Sequence, residues 1–318
     1  MSRSRYLVTG GCGFIGSHLV DRLVAHGAAV RVLDDLSTGH RANVRASAEI
    51  VVGDVRDRAT MAAALAGVDG CFHLAAVSSV ERCRSDWPGS HAVNVASTVD
   101  LFDLARPENL DIPVVYASSA AVYGDNPALP LAEDAQPAPL STYGADKLGC
   151  ELQARAGARS HGLRSAGLRF FNVYGPRQDP RSPYSGVISV FTARLAGYQP
   201  VTIYGDGGQS RDFVAVADVV EMLDRAMARL TAAESTDGMA DIVNVCTGEA
   251  TTVTDLAHEL ARLLGRAPSI CYAPARPGDI RHSRGDPARA ARLLGHVPAT
   301  PLSAGLAHLR DASAREAA

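Results

Sequence analysis

The stretch "STYGADK" sets Tyr143 and Lys147 four residues apart, a spacing that puts both side chains on one face of a helix. A phenol titrates at about 10 and is a poor base at neutrality. An ammonium held beside it favours the phenolate, which can take a proton from an alcohol. Tyr143 is therefore a candidate general base and Lys147 its partner. Upstream stands "YASSAAVYG", a strand-like run that ends in two serines, Ser118 and Ser119. A Tyr and a Lys at this spacing also recur by chance as a surface pair, so the rest of the chain decides what the pair does.

The elements needed to position such a pair are legible from the N-terminus. "VTGGCGFIG" places Gly10, Gly13 and Gly16 where a first strand turns into a helix, so that bare backbone and a helix N-terminus can approach a pyrophosphate. The second strand ends in "LDDLSTG", and its Asp34 stands where a carboxylate accepts hydrogen bonds from an adenosine ribose. A carboxylate there repels a 2′-phosphate, which favours NAD over NADP. The positive nicotinamide would add to the effect of Lys147 on the phenol. "GDV" at 53–55 and "HLAA" at 73–76 close the next two strands, in reach of the adenine and the ribose-pyrophosphate.

Short apolar runs alternate with helical stretches at 14–26, 58–66, 91–105 and 143–161, the pattern of parallel strands buried on both faces. The fold expected is α/β: a Rossmann-like, doubly wound parallel sheet followed by a smaller α/β substrate-binding region. The division expected is 1–172 for NAD, with returning segments around 211–246, and mainly 173–318 for the substrate. Further helices are expected at 216–230, 253–265 and 287–294. The Pro-rich loop "PRQDPRSPYSGV" opens the second half, and the last eight residues, "DASAREAA", read as a tail.

Composition excludes several classes. The 318 residues are 47% hydrophobic and carry 31 Lys and Arg against 34 Asp and Glu, a net charge of -3 without a basic block suited to nucleic acid. No apolar run is long enough for a signal peptide or a membrane span, so a cytoplasmic protein is expected. Six cysteines form no CxxC pair and ten histidines show no HxxxH spacing, so neither metal nor disulfide is expected.

Taken in order, "TGGCGFIGSHL", "DDLSTG", "HLAA", "YASSAAVYG", "YGADK", "RFFNVYGPRQDP", "GDGGQSRDF" and "RPGDIRHS" resemble the extended short-chain dehydrogenase/reductase family over roughly residues 5–300, and within it the nucleotide-sugar 4-epimerases. The resemblance implies that Ser119 bonds the sugar 4-hydroxyl, that Tyr143 is the base and that Lys147 holds the nicotinamide ribose. It implies NAD contacts from Gly10, Gly13, Phe14, Ile15, Gly16, Asp34, Asp35, Ser37, Thr38, Gly39, Asp54, Val55, Leu74, Ala75, Ala76 and Asn94, besides Tyr143 and Lys147. For the nucleotide-sugar it implies Asn172, Arg211 and Arg276 at the diphosphate, Asp279 at the uridine ribose, and Thr202 with Tyr204 at the uracil. Ser79, Val187 and Ser283 complete the implied substrate contacts. A homodimer packed through two helices of each copy is common in the family and is expected here.

Sister reactions on this scaffold use carboxylates beside the serine. Dehydratases resembling this chain carry Asp-Glu before Val-Tyr-Gly, and the UDP-glucuronate decarboxylases carry a Glu there. Here both places are alanine, Ala120 and Ala121, which leaves oxidation, rotation and reduction at carbon 4. Ser283 stands where relatives restricted to glucose and galactose carry a bulky tyrosine, and it leaves volume for larger sugars. Arg181 follows "RQDP" where relatives for N-acetylated sugars continue with an uncharged residue. Facing the sugar, it would pair with a carboxylate at carbon 6 and slow loss of carbon dioxide from the β-keto acid intermediate. The expected reaction is UDP-glucuronate to UDP-galacturonate. Two alternatives stand beside it: UDP-N-acetylglucosamine or UDP-glucose as substrate, with Arg181 turned to solvent or to Asp179, and a non-catalytic NAD-binding sensor.

Overall fold

The computed structural model describes residues 3–179, 186–232, 238–275 and 279–316. From the N-terminus, β1 (Arg5–Thr9), α1 (Phe14–Ala25), β2 (Ala29–Asp34), β3 (Glu49–Val52), α2 (Arg58–Leu65) and β4 (Gly70–His73) lead to α3 (Val80–Ser85), α4 (Trp87–His91) and α5 (Ser97–Ala105). The chain continues with β5 (Val114–Ser119), α6 (Thr142–His161), β6 (Arg164–Phe170), β7 (Asn172–Tyr174), α7 (Val187–Ala196), β8 (Val201–Tyr204), β9 (Ser210–Arg211), β10 (Phe213–Ala215) and α8 (Val216–Ala232). It closes with β11 (Met239–Val245), β12 (Thr251–Thr252), α9 (Val253–Leu263), β13 (Ile270–Ala273), β14 (His282–Ser283), α10 (Ala288–Leu294) and α11 (Leu302–Glu316).

Seven strands form one sheet in the order β11-β6-β5-β4-β1-β2-β3, and every pairing in it is parallel. Neighbouring strand residues point to opposite layers, as the period of two requires. Val8, Val32, Phe72 and Val115 join one core with α1 and α8. Leu7, Leu33, Cys71 and Val114 join the other with α2, α5 and α6. Both faces are thus covered, which is why these strands read as unbroken apolar runs. Strand order reverses between β1 and β4, and at such a switch point the carboxyl ends open a crevice for a ligand. Thr9 pairs with His73 across that point, so the glycine turn and "HLAA" leave the sheet side by side.

The second half builds a third core from α7, β8, α9 and α11, with Phe191, Ile203, Leu256, Leu260 and Leu306 buried in it. β11 returns to the edge of the large sheet beside β6, and α8 packs on α1. Three small sheets, β10-β7, β12-β9-β14 and β13-β8, carry the loops above the crevice. No helix among the described residues is long and apolar enough to cross a membrane. Nor does any group of three or more His, Cys, Asp or Glu side chains among them form a metal site.

One expectation needs correction and another gains detail. The final residues are not a tail, because α11 runs to Glu316; Leu302, Leu306 and Leu309 recur at helical spacing, and Leu306 and Leu309 are buried in the third core. The span 91–105 is helical throughout, as expected, but contains a π-turn. Asp86 caps α4 through Gly89 N and Pro88 stands in its first turn, after which residues Ala92–Ala96 take one turn of π-helix before α5. A π-turn often marks a working site, and this one carries Asn94.

Candidate active site

The glycine turn is shaped by close approach. Gly10 has φ +67, and a Cβ there would lie 2.8 Å from Ala75 N; a Cβ on Gly16 would lie 2.2 Å from Gly10 O. Gly13 caps α1 without a side chain and the first turn holds no acid. The N–H groups of Phe14, Ile15 and Gly16 at this helix start therefore remain for an anion, which fits a cofactor diphosphate.

At the end of β2, Asp34 is buried and accepts hydrogen bonds from Cys12 N and Leu36 N, both at 2.9 Å. Burial raises its pKa, and the two N–H donors oppose that rise. Gly39 closes this loop against Cys12 and Asp34, where any side chain would collide. Asp35 takes the N–H of Ser37, and Ser37 and Thr38 are exposed at the rim. Asp54 is gripped by the Arg56 guanidinium, which holds its carboxyl below the usual range, while Val55 is buried.

Beneath "HLAA" runs a one-way chain of hydrogen bonds. Thr9 Oγ1 lies 2.8 Å from His73 Nδ1, and His73 Nε2 lies 3.1 Å from Thr98 Oγ1, which donates to Asn94 O at 2.7 Å. Thr9 Oγ1 already accepts from Leu74 N and Ala75 N, so the consistent assignment has Thr9 donating to Nδ1 and His73 donating from Nε2. Burial, with the charge of Lys147 second, pushes the His73 pKa down to about 3 and keeps the ring neutral. The Asn94 amide bonds both backbone and side chain: Oδ1 accepts from Val77 N at 2.9 Å, and Nδ2 donates to Val77 O and to Asp146 Oδ2. In this arrangement it straps the segment after Ala76. Ser79 caps α3 by accepting from Arg82 N.

Ser119 ends β5, and its Oγ accepts from Ala121 N at 3.1 Å. Tyr143 lies in the first turn of α6, which Ser141 caps through Gly144 N. The helix start presses on the loop after Ser119, since a Cβ on Gly144 would sit 2.6 Å from Ala121 O. That contact brings the Tyr143 turn beside the serine. One turn further, the Lys147 Nζ stands 5.9 Å from the Tyr143 ring centroid and donates to Ala117 O at 2.9 Å. Lys147 is 5% exposed, so its charge is held in place rather than solvated.

Below them lies a network the sequence reading did not find. Glu151 and Arg169 are each about 1% exposed and form a two-point ion pair, Nε to Oε1 at 2.8 Å and Nη2 to Oε2 at 2.6 Å. Ser118 Oγ donates to Glu151 Oε1 at 2.6 Å. Arg169 also lies over the Tyr123 ring at 4.7 Å and donates to Glu133 O.

Several residues expected to contact substrate gather around Asp212, which is 0% exposed. Its carboxylate accepts from Thr247 N, Thr247 Oγ1, Gly248 N and Gly285 N, and its carbonyl accepts from Asn172 N. It thereby ties three loops together beside Arg211. The Arg211 Nη2 donates to Asp279 Oδ1 at 2.6 Å, and burial lowers its pKa while Asp279 raises it. Buried Ser283 pairs with Arg211 across β14 and β9, so Arg211, Asp279 and Ser283 are brought together. Asn172 and Val187 share a narrow cleft with Tyr174, Gln178 and Phe213. Thr202 and Tyr204 lie on β8, beside β13. Arg181 and Arg276 lie outside the described residues.

Residues 6–246 match the NAD dependent epimerase/dehydratase family, and the chain belongs to it. Its cofactor is NAD. Among individual relatives, the UDP-glucose 4-epimerase of Mycolicibacterium smegmatis is 38% identical over 310 residues, covering 95% of this chain and 96% of that one. The crystal structure of the UDP-glucose 4-epimerase of Thermotoga maritima with UDP-glucose superposes with a TM-score of 0.92 at 34% identity, over 99% of this chain and 100% of that one. MoeE5 in complex with UDP-glucuronic acid and NAD superposes with a TM-score of 0.85 at 34% identity, over 98% of this chain and 100% of that one.

Proposed function

We propose that the chain is an NAD-dependent 4-epimerase of UDP-sugars. The observation that carries this reading is the packing of the Tyr143–Lys147 turn against a Ser119 loop whose next two side chains are methyl groups. NAD, when bound, supplies reversible hydride acceptance at carbon 4. Ser119 holds the 4-oxygen and Tyr143 removes its proton, then returns one after the ketone has turned over. Lys147 stands close enough to attract the negative charge that the phenol oxygen must carry. Ala120 and Ala121 offer no acid to a leaving 6-hydroxyl, so elimination has no catalyst. Arg211 grips the diphosphate through its guanidinium fork, leaving the sugar free to rotate about its anchored nucleotide.

The sugar we infer is UDP-glucuronate, on the argument that Arg181 pairs with the carbon 6 carboxylate. Buried Ser283, beside Arg211, supports a pocket with room beyond glucose. The test is conversion of UDP-glucuronate, UDP-glucose and UDP-N-acetylglucosamine by the purified chain, followed by anion-exchange chromatography and repeated with Arg181→Ala. Loss of one charge-assisted bond lowers kcat/KM for UDP-glucuronate by about tenfold or more, with the neutral sugars unaffected. Better turnover of a neutral sugar by the parent chain would replace UDP-glucuronate with that sugar and make Arg181 a bystander.

We also propose that two copies pair through α5 and α6. Val99 on α5 and Leu152 on α6 are exposed apolar side chains on helices that pack together, and Gly149 lies against Val95 between them. A second copy covers this face. Sedimentation velocity then gives a dimer for the parent chain and a monomer for Leu152→Glu; a monomeric parent removes the proposal.

A further inference from the structure

The substrate 4-hydroxyl must meet Ser119 and Tyr143 together, yet these residues sit on different elements, the end of β5 and the start of α6. Two cross-links, one helical turn apart, tie these two elements together. Lys147 Nζ reaches Ala117 O at 2.9 Å, and Glu151 Oε1 takes the hydroxyl of Ser118 at 2.6 Å. Tyr143, Lys147 and Glu151 fall at i, i+4 and i+8, so one stripe of α6 carries the base, its partner and the second cross-link. Two consecutive residues of β5 take the other ends, and the next residue along is Ser119.

Glu151 can serve as an anchor only because Arg169 offsets its charge. Both groups are about 1% exposed, and the bond geometry uses both carboxylate oxygens. A pair like this is weak evidence for stability, because a well-packed apolar pair often does as well; fixing one arrangement among several is its better-attested use. The same guanidinium lies on Tyr123, four residues past Ser119, so the pair grips the serine loop from both ends.

We propose that Ser118 and Glu151 are positioning residues, which set the register of β5 against α6 and with it the distance from Ser119 to Tyr143. The proposal rests on the 4-epimerase reading and deepens it. Neither side chain is open to the site: Ser118 is 2% and Glu151 1% exposed.

The test uses the full-length, NAD-loaded protein and the UDP-sugar that the parent turns over best. Ser118→Ala removes one hydrogen bond and leaves the ion pair. A displaced reacting group costs rate rather than affinity, so kcat falls about tenfold while KM and bound NAD stay within twofold. Ser118→Thr, which keeps the hydroxyl, restores kcat to within about threefold. Glu151→Gln shows the same split between kcat and KM where it folds, and Ser118→Ala decides the matter where it does not. Unchanged kcat in Ser118→Ala, or a loss of kcat that tracks loss of NAD and of melting temperature, overturns the proposal and makes the pair structural. A parent chain that converts no UDP-sugar overturns the 4-epimerase reading in its own arm, and the proposal falls with it.

Discussion

Tyr143→Phe lowers kcat for the UDP-sugar by about 10²- to 10⁴-fold, the range that a lost general acid-base group commands. KM and the content of bound NAD stay near the parent values, because the ring is retained and the removed atom is the one proposed to move the proton. On the proposed reading the nucleotide is held elsewhere, around Arg211 and Asn172. Steady-state kinetics and the absorbance of cofactor released on denaturation check both halves of the expectation. Full turnover in the variant would take the proton away from Tyr143, whereas a parent chain that converts no UDP-sugar would return it to the class of NAD-binding sensors.

Arg169→Ala destabilises the protein by about 3–5 kcal/mol, the cost of leaving a buried charge without its partner. The guanidinium is 1% exposed and makes two bonds to Glu151, one to Glu133 O and a face contact with Tyr123. Burial is the largest influence on its pKa and acts downward, yet the hydrogen bond and charge of Glu151 together with Tyr123 raise it overall. By contrast, exposed pairs such as Arg84 with Glu81 contribute little. Denaturant unfolding, with the midpoint moved and the slope kept, measures the difference. A shift comparable to that of a surface pair would mean that Glu151 finds another partner or takes up a proton.

The sequence conveyed the parts of the site whose logic is local. Gly10, Gly13 and Gly16 are close in the chain and are glycines for one steric reason. Tyr143 and Lys147 are joined by a single helical turn. Parallel strands announced themselves because both faces are covered. What stayed hidden joins residues far apart in the chain: Glu151 with Arg169, Thr9 with His73, and Asp212 with Thr247 are 18, 64 and 35 residues apart. No motif length spans such pairs. The bonds of the Asn94 amide to Val77 and Asp146 are likewise set by a π-turn that apolar periodicity does not record. The helix at the C-terminus is legible only in part: Leu302, Leu306 and Leu309 recur at helical spacing, whereas its last turns, from Asp311, carry only small and charged residues.

The contact between Gly144 and Ala121 joins the Tyr143 turn to the loop after Ser119, and it is made through main-chain atoms. Side chains at 120 and 121 take no part in it, and both positions are only partly buried. The seat of the tyrosine is therefore indifferent to what those two positions carry. A lineage can exchange methyl groups for carboxylates there and acquire elimination without rebuilding the joint, which makes this loop the interchangeable component of an otherwise fixed machine.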